Sequence, residues 1–122
     1  MERTFVIAGA AFAFLGVAAG AFGAHALQTR LAPERLQTFE VAVRYQMYHA
    51  LGLFLVAWAA TRWPSSTLSV AGWLFIGGTL VFSGTVYGLA LGGPRWLGAI
   101  TPIGGLAFLG GWLAIAWGVF RS

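Results

Sequence analysis

The chain contains no cysteine. That excludes disulfides, thiolate metal sites, haem attachment through Cys and cysteine nucleophiles. Charge is nearly as scarce. Only 8% of the 122 residues are charged, against roughly 25% in an ordinary soluble domain. All seven basic residues are Arg: Arg3, Arg30, Arg35, Arg44, Arg62, Arg95 and Arg121. They stand singly at the ends of apolar runs, which is how membrane-interface anchors are placed. A nucleic-acid footprint is a clustered basic patch, so no nucleic-acid partner is expected despite a pI near 10.8. No acidic residue follows Glu40. The chain also lacks a Walker loop, a dinucleotide fingerprint, HExxH and a nucleophile elbow. Ser83 has no acidic or His neighbour in sequence that would activate it. Neither enzymatic activity nor a cofactor is expected.

What is present is apolar residue: 59% of the chain, with a mean hydropathy of +0.81. A soluble fold of this size leaves too much surface in water to hide it. A bilayer removes the conflict. The expectation is an all-α fold, a four-helix transmembrane bundle forming one integral membrane domain over residues 1–122. Its spans are expected near 4–27, 42–61, 67–91 and 101–120.

The first span opens after a short charged start at residues 1–3 and carries no charge over residues 4–29. Ala24-His25-Ala26 imitates a signal-peptidase site, but a signal h-region is only about 7–15 residues long. The segment therefore reads as a retained helix. Gly9, Ala13, Gly16, Gly20 and Gly23 follow each other at steps of 4, 3, 4 and 3, so they share one helical face. In lipid no hydrophobic force pairs helices, and small residues allow the close backbone approach that does. Gly104, Ala107, Gly111, Ala114 and Gly118 repeat this seam in the fourth helix, and Gly84, Gly88 and Gly92 form a possible stripe in the third. Either the seams of helices 1 and 4 pack on each other, or one is left for a second copy or another protein. A homo-oligomer or a subunit of a larger membrane complex is expected.

Pro33 suits the first turn of helix 2, and Glu34 complements its dipole. Arg44 is expected at headgroup level, since the uncharged part begins at Tyr45. Ser65 or Ser66 can cap helix 3. Thr101-Pro102 reads in two ways. Pro102 kinks a helix begun near Trp96, or Thr101 caps and Pro102 opens the helix. The second is favoured because residues 102–120 alone are long enough to span. Trp63, Trp96 and Trp117 fit interface belts; Trp58, Trp73 and Trp112 read as packing or lipid-facing. Arg3, Arg62 and Arg121 lie on one side and Arg30, Arg35, Arg44 and Arg95 on the other, so the positive-inside rule does not orient the chain.

Polar chemistry concentrates in FEVAVRYQMYHALGL, residues 39–53. Glu40, Arg44 and Tyr48 share a face with Gln37, and Glu40–Arg44 is an i,i+4 pair in the favourable order. It is either an exposed interfacial ion pair or a buried, functional pair facing the bundle. Tyr45 and His49 occupy another face. His25 lies near the exit of helix 1, so His25 and His49 are expected near one leaflet, within side-chain reach. Three readings stay open for them: structural glue, a proton relay with Glu40, or a bis-His ligand set.

Four segments together resemble one family: GAFGAHAL (20–27), FEVAVRYQMYHALGL (39–53), FSGTVYGLAL (82–91) and TPIGGLAFLGGW (101–112). They look like the transmembrane protein 256 / YgdD family of small membrane proteins. The resemblance implies a four-helix integral membrane protein, in bacteria of the inner membrane, and implies no reaction. The expected role is structural or accessory, by helix association in the bilayer. The alternative is a small proton-coupled transporter or channel, with Glu40, Arg44, Tyr48 and His49 lining its path.

Overall fold

The computed structural model describes residues 2–122; Met1, the first residue of the charged start, lies outside them. Four helices follow in order: α1 (Glu2–Leu27), α2 (Pro33–Arg62), α3 (Ser66–Ala90) and α4 (Leu97–Phe120). Their ends follow from local chemistry. Ala32 is extended and Pro33 takes the first position of α2, where a missing N–H costs nothing. Ser65 is extended, and its hydroxyl accepts from the Thr67 amide at 3.1 Å, a helix N-cap. After α3 the chain reverses at Gly92, whose φ is +94°, a left-handed conformation that glycine adopts without strain.

Length and composition suffice for α1, α3 and α4 to cross a membrane. α2 differs for a physical reason. Its 30 residues would extend about 45 Å at 1.5 Å per residue, against a hydrocarbon core of roughly 30 Å. Its first turns carry Glu34, Arg35, Glu40 and Arg44, all exposed. The remainder is the most enclosed part of the bundle, burying Ala42, Gln46, His49, Ala50, Leu53 and Val56 among others.

α1 lies along α2, α4 lies along α3, and α2 and α3 join the two pairs. The seam of α1 closes on α2. A Cβ added at Gly9 would stand 2.9 Å from the Ala50 carbonyl oxygen, one at Gly16 2.5 Å from the Met47 sulfur, and one at Gly23 3.2 Å from the Phe39 ring. The seam of α4 closes on α3. A Cβ at Gly104 would stand 2.5 Å from the Phe82 amide nitrogen, one at Gly111 would strike the Phe75 ring, and one at Gly118 would touch Leu68. The seams therefore do not pack on each other, and both are filled from within the chain. The core gathers between them: Phe5, Leu53, Val56, Ala57, Ala71, Phe75 and Phe108.

The stripe expected in helix 3 packs only at Gly88. A Cβ there would stand 2.8 Å from Leu97 at the start of α4, whereas one at Gly84 meets nothing within 4 Å and Gly92 faces Arg35. The start of α4 is also corrected. Thr101 does not cap it, and Pro102 lies inside it. The loop already coils before the helix: the amides of Leu97, Gly98 and Ala99 bond to the carbonyls of Pro94, Arg95 and Trp96. The Thr101 hydroxyl then bonds back to the Leu97 carbonyl at 3.0 Å. Two helices contain a π segment, Ala18–Gly23 in α1 and Thr79–Ser83 in α3.

Neighbouring glycines give a clean test. Gly104→Ala is expected to lower stability by about 1–3 kcal/mol, the usual cost of overpacking, because backbone of α3 fills that space. A Cβ at Gly105 meets nothing within 4 Å, so Gly105→Ala should leave the thermal unfolding midpoint in detergent unchanged or slightly raised. Equal midpoints for the two variants would contradict the packing.

Candidate functional site

The polar side chains inside the bundle form a belt across its middle. Gln46 is 6% exposed and joins three helices. Its amide nitrogen donates to the Phe12 carbonyl of α1 at 2.7 Å, and its amide oxygen accepts from the Tyr87 hydroxyl of α3 at 2.7 Å. Ser83 donates across to the Ala42 carbonyl of α2 at 2.9 Å. Thr85 of α3 and Thr101 of α4 share a hydrogen bond of 2.6 Å. In hydrocarbon such groups find partners only within the protein.

His49 closes the other side of the belt. The Trp112 indole N–H lies 3.0 Å from His49 Nε2. An indole nitrogen only donates, so Nε2 is the acceptor. The ring proton then sits on Nδ1, which donates to the Tyr45 carbonyl at 2.7 Å. The imidazole lies flat on Phe108, centroids 3.5 Å apart and planes 4° from parallel, with Phe75 edge-on at 5.1 Å. Both ring nitrogens are engaged, and the residue is 4% exposed.

The remaining candidates lie elsewhere. His25 is exposed in the last turn of α1. Gly23 of α1 is level with Phe39 of α2, and His49 lies ten residues further along, about 15 Å at 1.5 Å per residue. The structure does not bring the two histidines together. Among the described residues no group of three or more His, Asp and Glu could hold a metal ion. Glu40, Arg44, Tyr45 and Tyr48 are exposed on the outside of α2. Arg44 and Tyr45 are sequence neighbours, but only the Tyr45 ring turns towards the aromatic cluster, 4.9 Å from Phe82.

Two cavities flank the belt. One, of about 420 Å³, lies between α1 and α3 with α2 as its floor. Phe12, Leu15 and Ala19 line one wall, and Leu80, Gly84 and Leu91 the other. Gln46, Ser83 and Tyr87 lie behind it, bonded as described, and Thr79 at its inner end has a buried hydroxyl with no partner. The second, of about 700 Å³, is an aromatic cleft between α2 and α4, walled by Tyr45, Tyr48, His49, Phe108 and Trp112.

Residues 19–105 match the family described as "Protein of unknown function (DUF423)". The chain belongs to the DUF423 family. It is 45% identical over 114 residues to the UPF0382 membrane protein YwdK of Bacillus subtilis, covering 93% of each chain. It is 44% identical over 119 residues to the UPF0382 membrane protein SSP2132 of Staphylococcus saprophyticus, covering 98% of each. A UPF0382 membrane protein of Staphylococcus epidermidis is 47% identical over 113 residues, 93% of this chain and 92% of that one. No solved structure matches the chain. This DUF423 chain is thus a small membrane protein of a family without an assigned reaction. The matched region holds Gln46, His49, Ser83, Tyr87, Thr85 and Thr101, whereas Phe12 and Trp112 lie outside it.

The belt predicts opposite results for two buried polar residues of the DUF423 chain. Gln46→Leu leaves the Tyr87 hydroxyl unpaired and should cost about 1–3 kcal/mol. Thr79→Val removes a hydroxyl that bonds to nothing and should leave stability unchanged or higher. Thermal unfolding of both variants in one detergent checks this; a Thr79→Val loss as large as that of Gln46→Leu would contradict it.

Proposed function

We propose that this chain is a non-enzymatic structural or accessory protein of the bacterial inner membrane. It acts by associating within the bilayer, with further copies of itself or as a subunit of a larger membrane complex. The observation that carries this reading is the use of the buried polar side chains. Gln46, His49 and Ser83 are spent on bonds that hold helices or their backbone in place. Ser83 faces a carbonyl rather than a base, so no nucleophile is activated. Large apolar side chains face outward along the spans: Phe14, Phe22, Leu113 and Phe120 are each more than 70% exposed.

The transporter reading finds less support. Its candidates are divided: Glu40 and Arg44 lie outside the bundle, while Tyr48 and His49 border the aromatic cleft, where both His49 ring nitrogens are already bonded. A proton path needs groups lining a common cavity. The likeness to the transmembrane protein 256 / YgdD family belongs to the same proposal and assigns no reaction.

Native mass spectrometry of the protein, extracted from its own membrane in mild detergent, tests the proposal. Expected is a multiple of 12.9 kDa or a complex with another polypeptide. A species of 12.9 kDa alone, together with proton flux into liposomes that Glu40→Gln abolishes, would overturn it in favour of a transporter.

A further inference from the structure

The cavity between α1 and α3 has a direction. Its wall on the α3 side runs from Thr79 to Leu91, just past the helix end, a rise of about 18 Å at 1.5 Å per residue. One leaflet of hydrocarbon is roughly 15 Å deep, half of a 30 Å core. The groove therefore runs from mid-bundle to one membrane face, along the path of a single hydrocarbon chain. The two helices touch at the far end, where the Phe5 ring of α1 fills the space over Gly72 of α3. Beyond that contact they part. Both π segments border the opening, through Ala19 on one side and Leu80 on the other. A π turn shifts the faces of the helix that follows it, and here it occurs on both walls. Gly84 leaves the groove wide, since its missing side chain faces empty space.

The mouth of the groove carries a cation. Arg35 stands one helical turn before Phe39, which lines the groove, and so lies on the same face of α2. Its guanidinium lies 3.1 Å from the position of a Cβ on Gly92, the residue after Leu91, which also lines the groove. Arg30 and Arg95, both exposed, lie in the linkers at the same face. Glu34 is the acid next to Arg35 in sequence, about 100° around the helix. An apolar groove one leaflet long with a guanidinium at its headgroup end is complementary to one kind of molecule.

We propose that this groove is a binding site for an anionic glycerophospholipid. One acyl chain lies between α1 and α3, and the phosphate pairs with Arg35, a residue type whose planar fork suits phosphate. The site belongs to a single chain, so it stands whether or not copies associate.

The test is native mass spectrometry of the purified protein, titrated with dioleoylphosphatidylglycerol or with dioleoylphosphatidylcholine. The acyl chains are identical and only the headgroup charge differs. Expected is one bound phosphatidylglycerol per chain, about fivefold tighter than phosphatidylcholine, the factor one Arg supplies near anionic lipid. Arg35→Gln should bring phosphatidylglycerol down to the level of phosphatidylcholine. Gly84→Leu fills the groove where space is open and should remove the one-to-one adduct of both lipids with the unfolding midpoint unchanged. Equal binding of the two lipids by the unsubstituted protein would overturn the headgroup assignment. Undiminished binding by Gly84→Leu would overturn the groove as the site, leaving only general attraction to the Arg-bearing face.

Discussion

The Phe75 ring is the piece on which the bundle closes. It is fully buried and lies against two glycines, Gly52 of α2 and Gly111 of α4, each of which has no room for a Cβ beside it. In water such a ring would be held by the gain from hiding it. In hydrocarbon that gain is absent, since lipid tails are as apolar as the ring. What remains is dispersion, which depends on close contact and falls steeply with a gap. A ring set into a glycine socket maximises that contact. The device recurs with Phe5 over Gly72 and Phe108 over Gly78. Three helices are thus tied at Phe75, and α1 joins them through Phe5.

The polar belt depends on the same packing. His49 lies on Phe108 and against Phe75, so the rings that hold the helices also shield the imidazole. Its bond from Trp112 joins α2 to α4, which otherwise meet little. Single interhelical hydrogen bonds in membranes contribute only about 0.6 kcal/mol on average. Their value here is in register: Gln46 can reach Phe12 and Tyr87 together at only one alignment of α1, α2 and α3. Belt and sockets together hold α1 and α3 apart over the groove.

Much of this fold was legible in the chain. Scarce charge and long apolar runs implied four helices in a bilayer, and the spacing of glycines marked the packed faces of α1 and α4. Spacing identifies a face but not its partner. That Gly16 meets Met47 and Gly111 meets Phe75 depends on crossing geometry, which no periodicity encodes. The Gly84, Gly88, Gly92 stripe has the right period, yet only Gly88 meets another helix, while Gly84 borders a groove and Gly92 lies in a loop. Pro102 suggested a helix start because the preceding coiled loop carries no sequence signature. The site was half legible. His49 lies in the polar stretch of α2 and belongs to the belt, but the charged residues of that stretch, Glu40 and Arg44, are exposed; Ser83, Thr85, Tyr87 and Thr101 are isolated hydroxyls in apolar segments, and no spacing ties them to α2. Gln46 carries the most connections, although a neutral amide among charged and aromatic neighbours has no signal of its own in composition. A signal existed: Phe39, Ala42, Gln46, His49 and Leu53 fall at steps of 3 and 4, so Gln46 sits on the most continuous buried stripe of α2.

If ring-in-socket contact organises the bundle, then the cost of filling a socket must depend on the ring. The direct measurement is a double-mutant cycle between Gly111→Ala and Phe75→Val, read as unfolding free energies in one detergent. With Phe75 present, Gly111→Ala should cost about 1–3 kcal/mol. In the Phe75→Val background it should cost close to nothing, because the atoms it strikes are gone, and the difference is the coupling energy of the pair. Additive costs in the two backgrounds would contradict the account.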